Sequence, residues 1–124
     1  MSAPRTVTLA TVDHGDVTLT CPAWCNGHAG HRPDTYRADI THNAAQVDLT
    51  HRGRTVGLAV ISQSPFAERS TRDIRASVVL SFESGPGGFD AVVLYDLAAE
   101  LDGHADTLRA VADQLDTLTA GGGQ

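Results

Sequence analysis

Apolar and polar residues alternate in two short stretches near the start of the chain: Val7 and Leu9 within 6–12, then Val17, Leu19 and Cys21 within 16–21. A period of two places every second side chain on one face, the mark of a half-buried strand. His14-Gly15 separates them and suits a two-residue primed turn, so 5–21 is expected to form a first β-hairpin that delivers Cys21 at the end of its second strand. Alternation returns at Ala38, Ile40 and His42, at Val47, Leu49 and His51, and at Val56, Leu58 and Val60, with Arg52-Gly53-Arg54 turning the chain into a second hairpin. The clearest strand is 73–83, with Ile74, Ala76, Val78, Leu80 and Phe82 on one side. Gly85-Pro86-Gly87-Gly88 then reads as a turn into a short apolar strand at 91–94, so the remaining strands span 36–94.

The period changes after Tyr95. Leu97, Leu101, His104, Leu108, Val111, Leu115 and Leu118 recur at spacings of four and three, which predicts an amphipathic helix over 96–118. Asp96 is its expected N-cap, and Gly121-Gly122-Gly123 its frayed end within a flexible 119–124 tail. The chain is therefore expected to be α+β: an antiparallel sheet of about six strands, arranged as β-hairpins, covered by one C-terminal helix. Pairing of that helix stripe with a second copy, giving a homodimer, is an addition to packing within the chain.

Composition tightens this picture. A chain of 124 residues is expected to make a single domain over 1–124. At 41% hydrophobic but only 5% aromatic, its core must come mainly from Val, Leu, Ile and Ala, a modest core that a metal clip would help. No apolar run approaches the roughly 20 residues of a membrane span, and no secretory signal pattern is evident, so the expected compartment is the cytoplasm. The net charge of −6 is concentrated at the C-terminus, where 90–116 carries seven acids against Arg109 alone. An acidic helix face repels phosphate backbones and suits a basic protein surface, which argues for a protein partner and against nucleic acid. The polar 63–72 segment, with Ser64-Pro65, is a second candidate contact surface. Arg69, Arg72 and Arg75 lack interleaved aromatics and read as a solvated edge. His104 falls on the apolar stripe and reads as a hydrogen-bonded core histidine.

The chemistry concentrates in one place. Cys21-Pro22-Ala23-Trp24-Cys25-Asn26-Gly27-His28-Ala29-Gly30-His31 holds both cysteines and two of the six histidines in a Gly-, Pro- and Asn-rich loop over 21–33 that is ordered only if something fixes it. Thiolate sulfur and imidazole nitrogen are the donors tetrahedral zinc prefers, so the loop reads as a zinc-knuckle-like element. Four ligands from one short loop would strain it, whereas one from the following strand would staple loop to sheet. Cys21, Cys25, His28 and His42 are therefore the favoured set, with His31 as an alternative to either histidine. Reduced buried thiols and a Cys21–Cys25 disulfide are the competing readings of the same cysteines. His51 is assigned no part in the site, and its removal is expected to leave metal content and stability unchanged.

The run from Thr20 to His28, preceded by an apolar hairpin and followed by His42, Ser64-Pro65-Phe66 and a Leu/Ala-rich helix, resembles a family of small uncharacterised actinobacterial proteins marked by a Cys-Pro-x-Trp-Cys…His signature. The resemblance implies a compact, mostly β domain with a metal site, and carries ligand roles onto Cys21, Cys25, His28 and His42. It implies no activity.

Two functional classes follow. In the preferred one, the protein is a non-catalytic binding or regulatory module whose zinc is structural, because four protein ligands leave no position for water. In the alternative, three ligands hold zinc in a small hydrolase-type enzyme, with Asp34, Asp39 or Glu68 as general base. No His-Glu-x-x-His arrangement or nucleophile motif supports the second reading.

Overall fold

The computed structural model describes residues 5–83 and 86–120. The start of the expected Gly85-Pro86-Gly87-Gly88 turn and the triglycine end lie outside the described residues. Strand β1 (Arg5–Thr11) folds back on β2 (Gly15–Cys21) in an antiparallel ladder that runs from Arg5 opposite Cys21 to Thr11 opposite Gly15. The connection is a three-residue loop and not the expected two-residue turn. Gly15 takes a positive φ of 61°, and the Thr11 hydroxyl accepts from the His14 N–H and donates to the Gly15 carbonyl, closing the loop locally.

A second sheet is built around β5 (Arg54–Gln63). Ala59 pairs with both Val47 and Val78, and Ser62 with both Asn43 and Arg75. Strands β3 (His42–Asn43) and β4 (Val47–His51) therefore lie end to end along one side of β5, and β6 (Arg75–Leu80) lies along the other. The β4–β5 connection is a two-residue turn in which Arg52 and Gly53 both take positive φ, 51° and 78°, as a primed turn demands. Six antiparallel strands are present, in number as expected but in two sheets; of the expected strand through Ala38, Ile40 and His42 only His42–Asn43 pairs, because Arg37–Asp39 turns as a 3₁₀ helix. Between Cys21 and His42 the chain runs as loop and a 3₁₀ turn at Arg37–Asp39, so no strand carries the ladder from the hairpin to β5.

Helix α1 spans Ala91–Ala120, which corrects three boundaries. The 91–94 segment is helical, the cap is Asp90 instead of Asp96, and Thr119 and Ala120 belong to the helix and not to a tail. The Asp90 carboxylate accepts from the Val93 N–H at 3.0 Å, so the helix starts before the β-branched pair Val92-Val93 that reads as strand in isolation.

Two apolar clusters result. In the larger, Val111 of α1 meets Ala59, Ile61 and Ile74, with Leu108, Leu115, Leu118, Val47 and Trp24 packed around them. In the smaller, Leu9 and Leu19 of the hairpin enclose Ile40, with Phe66 against it and the Arg37 guanidinium 3.9 Å over the Phe66 ring. The helix of 30 residues is about 45 Å long and the ten residues of β5 about 33 Å. The N-terminal half of α1 is tied to β4 and its turn by polar groups: His104 Nε2 donates to the Thr50 carbonyl at 2.6 Å, and Arg52 pairs with Asp96 at 2.8 Å. No described helix is long and apolar enough to cross a membrane.

Candidate metal centre

Cys21 is the last residue of β2, and its side chain is fully buried. Pro22 opens a tight turn closed by a 3.0 Å bond from the Cys25 N–H to the Pro22 carbonyl, which brings the second thiol back beside the first. The Gly27 N–H then points at Cys25 Sγ from 3.5 Å. The Asn26 N–H donates to the Asn43 carbonyl at 2.7 Å, fastening the loop to β3, and the Arg5 guanidinium holds the Cys25 carbonyl at 3.0 Å. His42, the first residue of β3, faces the loop from the second sheet with only 2% of its surface exposed.

These contacts converge four donors. Ligand atoms of Cys21, Cys25, His28 and His42 all lie within 4.8 Å of one another. His28 Nε2 is 3.2 Å from Cys21 Sγ and 3.7 Å from Cys25 Sγ, close to the roughly 3.3–3.8 Å edges of a tetrahedron with bonds of about 2.0–2.3 Å. The His28 and His42 rings are 5.4 Å apart at 64°, and Trp24 stands edge-on to His42 on the other side.

The electrostatics of the four fit an ion. Burial pushes the Cys21 thiol above its ordinary range and Cys25 beside it adds to the effect, while Arg5 opposes it. Burial lowers His28 and His42 below the usual imidazole range, with the neighbouring histidine and Arg5 acting the same way. Neutral imidazoles are the ligating form, and two adjacent buried thiols lose their protons readily only when a cation takes their place. His42 Nδ1 is moreover buried with no hydrogen-bond partner among the described residues. The set can hold a divalent cation through two sulfurs and two nitrogens.

The other expected candidates lie elsewhere. His31 donates from Nε2 to the Ala10 carbonyl at 2.8 Å and stands outside the group of four. Asp34 pairs with Arg32 on the surface, and Asp39 and Glu68 are exposed; among the described residues no carboxylate joins the cluster. His51, given no role from the sequence, is buried: Nδ1 lies 2.6 Å from Glu100 on α1, and its ring meets Phe89 edge-on. Its place in the Val47, Leu49, His51 alternation was the signal, since the inward face of β4 should carry it to the helix. Arg5 and the Asn26–Asn43 contact had no such signal.

A profile described as a domain of unknown function, DUF6907, matches residues 6–117, and the chain belongs to that family. No curated protein and no solved structure matches it.

Proposed function

We propose that this member of the DUF6907 family is a small non-catalytic binding module in which Cys21, Cys25, His28 and His42 hold one structural zinc ion. The observation that carries the proposal is the convergence of two thiols and two imidazoles to within 4.8 Å from both sheets. Zinc suits this donor set, and with all four positions filled by protein the ion supplies cross-linking and not an activated water. The exposed acids that an enzyme would use as general base stand apart from the cluster. The acidic outer face of α1, with Asp102, Asp106, Asp113 and Asp116, and the 63–72 loop are the proposed contact surfaces for a basic protein partner in the cytoplasm.

Metal analysis with X-ray absorption on untagged protein tests the reading. The expected result is one zinc per chain with two sulfur ligands at about 2.3 Å and two nitrogen ligands at about 2.0–2.1 Å. A shell with an exchangeable oxygen would overturn the structural role in favour of a zinc hydrolase, and metal-free, fully ordered protein would overturn the site.

A further inference from the structure

Strand β6 leaves an edge uncovered. It pairs with β5 on one side, and no described strand takes the other. Three consecutive large apolar residues, Val78, Val79 and Leu80, are 47%, 56% and 52% exposed on it. Because the Ser81 N–H bonds the Val56 carbonyl, the odd-numbered residues of β6 face β5, and the main-chain groups of Ala76, Val78 and Leu80 are turned outward. Edge strands of natural sheets are usually blunted by charge, proline or a bulge, and the centre of this one has none of these.

The flanking charges say what fits there. Arg75 begins the strand, where its only ion-pair partner among the described residues is the exposed Asp73, and Glu83 follows its end. We infer that β6 is the pairing edge of a homodimer, joining antiparallel to β6 of a second copy about a two-fold axis through Val79. In that register Val78 meets Leu80 of the second copy on one face, and Val79 meets Val79 on the other. The outward main-chain groups of Val78 and Leu80 form the ladder, and Arg75 is set opposite Glu83 at both ends. The strand is complementary to itself in hydrogen bonding, apolar surface and charge, which a two-fold contact requires of one patch. On the covered face of the sheet, Asp96, Glu100 and His104 lean α1 toward β4.

Light scattering and sedimentation of the intact, metal-loaded chain test this. The wild type is expected at twice its 13.0 kDa chain mass. Val79→Lys, which sets two like charges face to face at the axis, should give the single-chain mass with unchanged circular dichroism and metal content. Arg75→Glu or Glu83→Arg alone should weaken the dimer by tenfold or more, and the double variant should recover it, a result that general destabilisation would not produce. A wild type that stays at 13.0 kDa up to its solubility limit overturns the inference. So does a dimer that persists in Val79→Lys, or an edge that takes an unrelated peptide strand while the chain remains single. Metal content is read separately, so failure here leaves the zinc reading intact.

Discussion

His42 Nδ1 and Trp24 Nε1 are buried without a hydrogen-bond partner among the described residues, and the two rings stand edge to face. An orphaned buried nitrogen costs about 1–3 kcal/mol, and for His42 a bound cation removes that cost. The ligand residues can then be separated from their neighbours. Cys25→Ser should reduce bound zinc well below one per chain and lower the melting midpoint by about 10 °C or more, since roughly 4–8 °C accompanies each kcal/mol lost in a small domain. His31→Ala should leave zinc stoichiometry unchanged, because that ring is engaged with the Ala10 carbonyl. Metal analysis and calorimetry on both variants check this; full zinc retention in Cys25→Ser would remove that thiol from the site.

Helix α1 shows at the scale of an element what the sequence discloses and what it withholds. Its stripe at spacings of four and three is legible, and Leu108, Val111, Leu115 and Leu118 do face the sheet. Its start is not, because Ala91-Val92-Val93-Leu94 has strand composition and only the Asp90 cap decides otherwise. The cluster of Cys21, Cys25, His28 and His42 could be anticipated from donor chemistry alone. The split into two sheets could not, since alternation reports which face is buried and not which strands pair. The N-terminal half of α1 is fastened to β4 by the His51–Glu100 contact, so the expectation that His51 is dispensable is revised: His51→Ala removes a buried partner of the helix and should lower stability without changing metal content. The same contact makes a pH prediction. The hydrogen bond from His51 holds the Glu100 carboxyl below its ordinary value of 4.5. A group whose folded value is lowered stabilises the fold above its unfolded value and loses that contribution as pH falls through the folded one. The melting gap between wild type and Glu100→Gln should therefore be widest near neutrality and close below about pH 4.5, as thermal melts across pH 3–7 would show. A gap that stays constant would mean that the carboxylate charge is not what anchors the helix.

At the scale of the whole molecule, the hairpin and the main sheet are joined by loops and by the cluster of Cys21, Cys25, His28 and His42. Leu9, Leu19, Ile40 and Phe66 form one cluster, and Ala59, Ile61, Ile74 and Val111 another. The four candidate donors link the two sheets, with Cys21 at the end of the hairpin and His42 at the start of β3. Chelation should therefore act unequally. Hydrogen exchange is expected to quicken by tenfold or more in β2 and across 21–42 while amides of β5 and the C-terminal half of α1 keep their protection. Uniform loss of protection would show that the main core depends on the ion as well, and no change would show that the ion joins nothing.

The order of these parts along the chain matters during synthesis. Each of the four candidate donors precedes Asn43, whereas β5, β6 and α1 come later. The complete donor set thus emerges from the ribosome ahead of the central strand of the main sheet. A nascent chain that captures zinc at this stage has β3 fixed in direction beside the hairpin, a ready template on which β5 can add as it emerges.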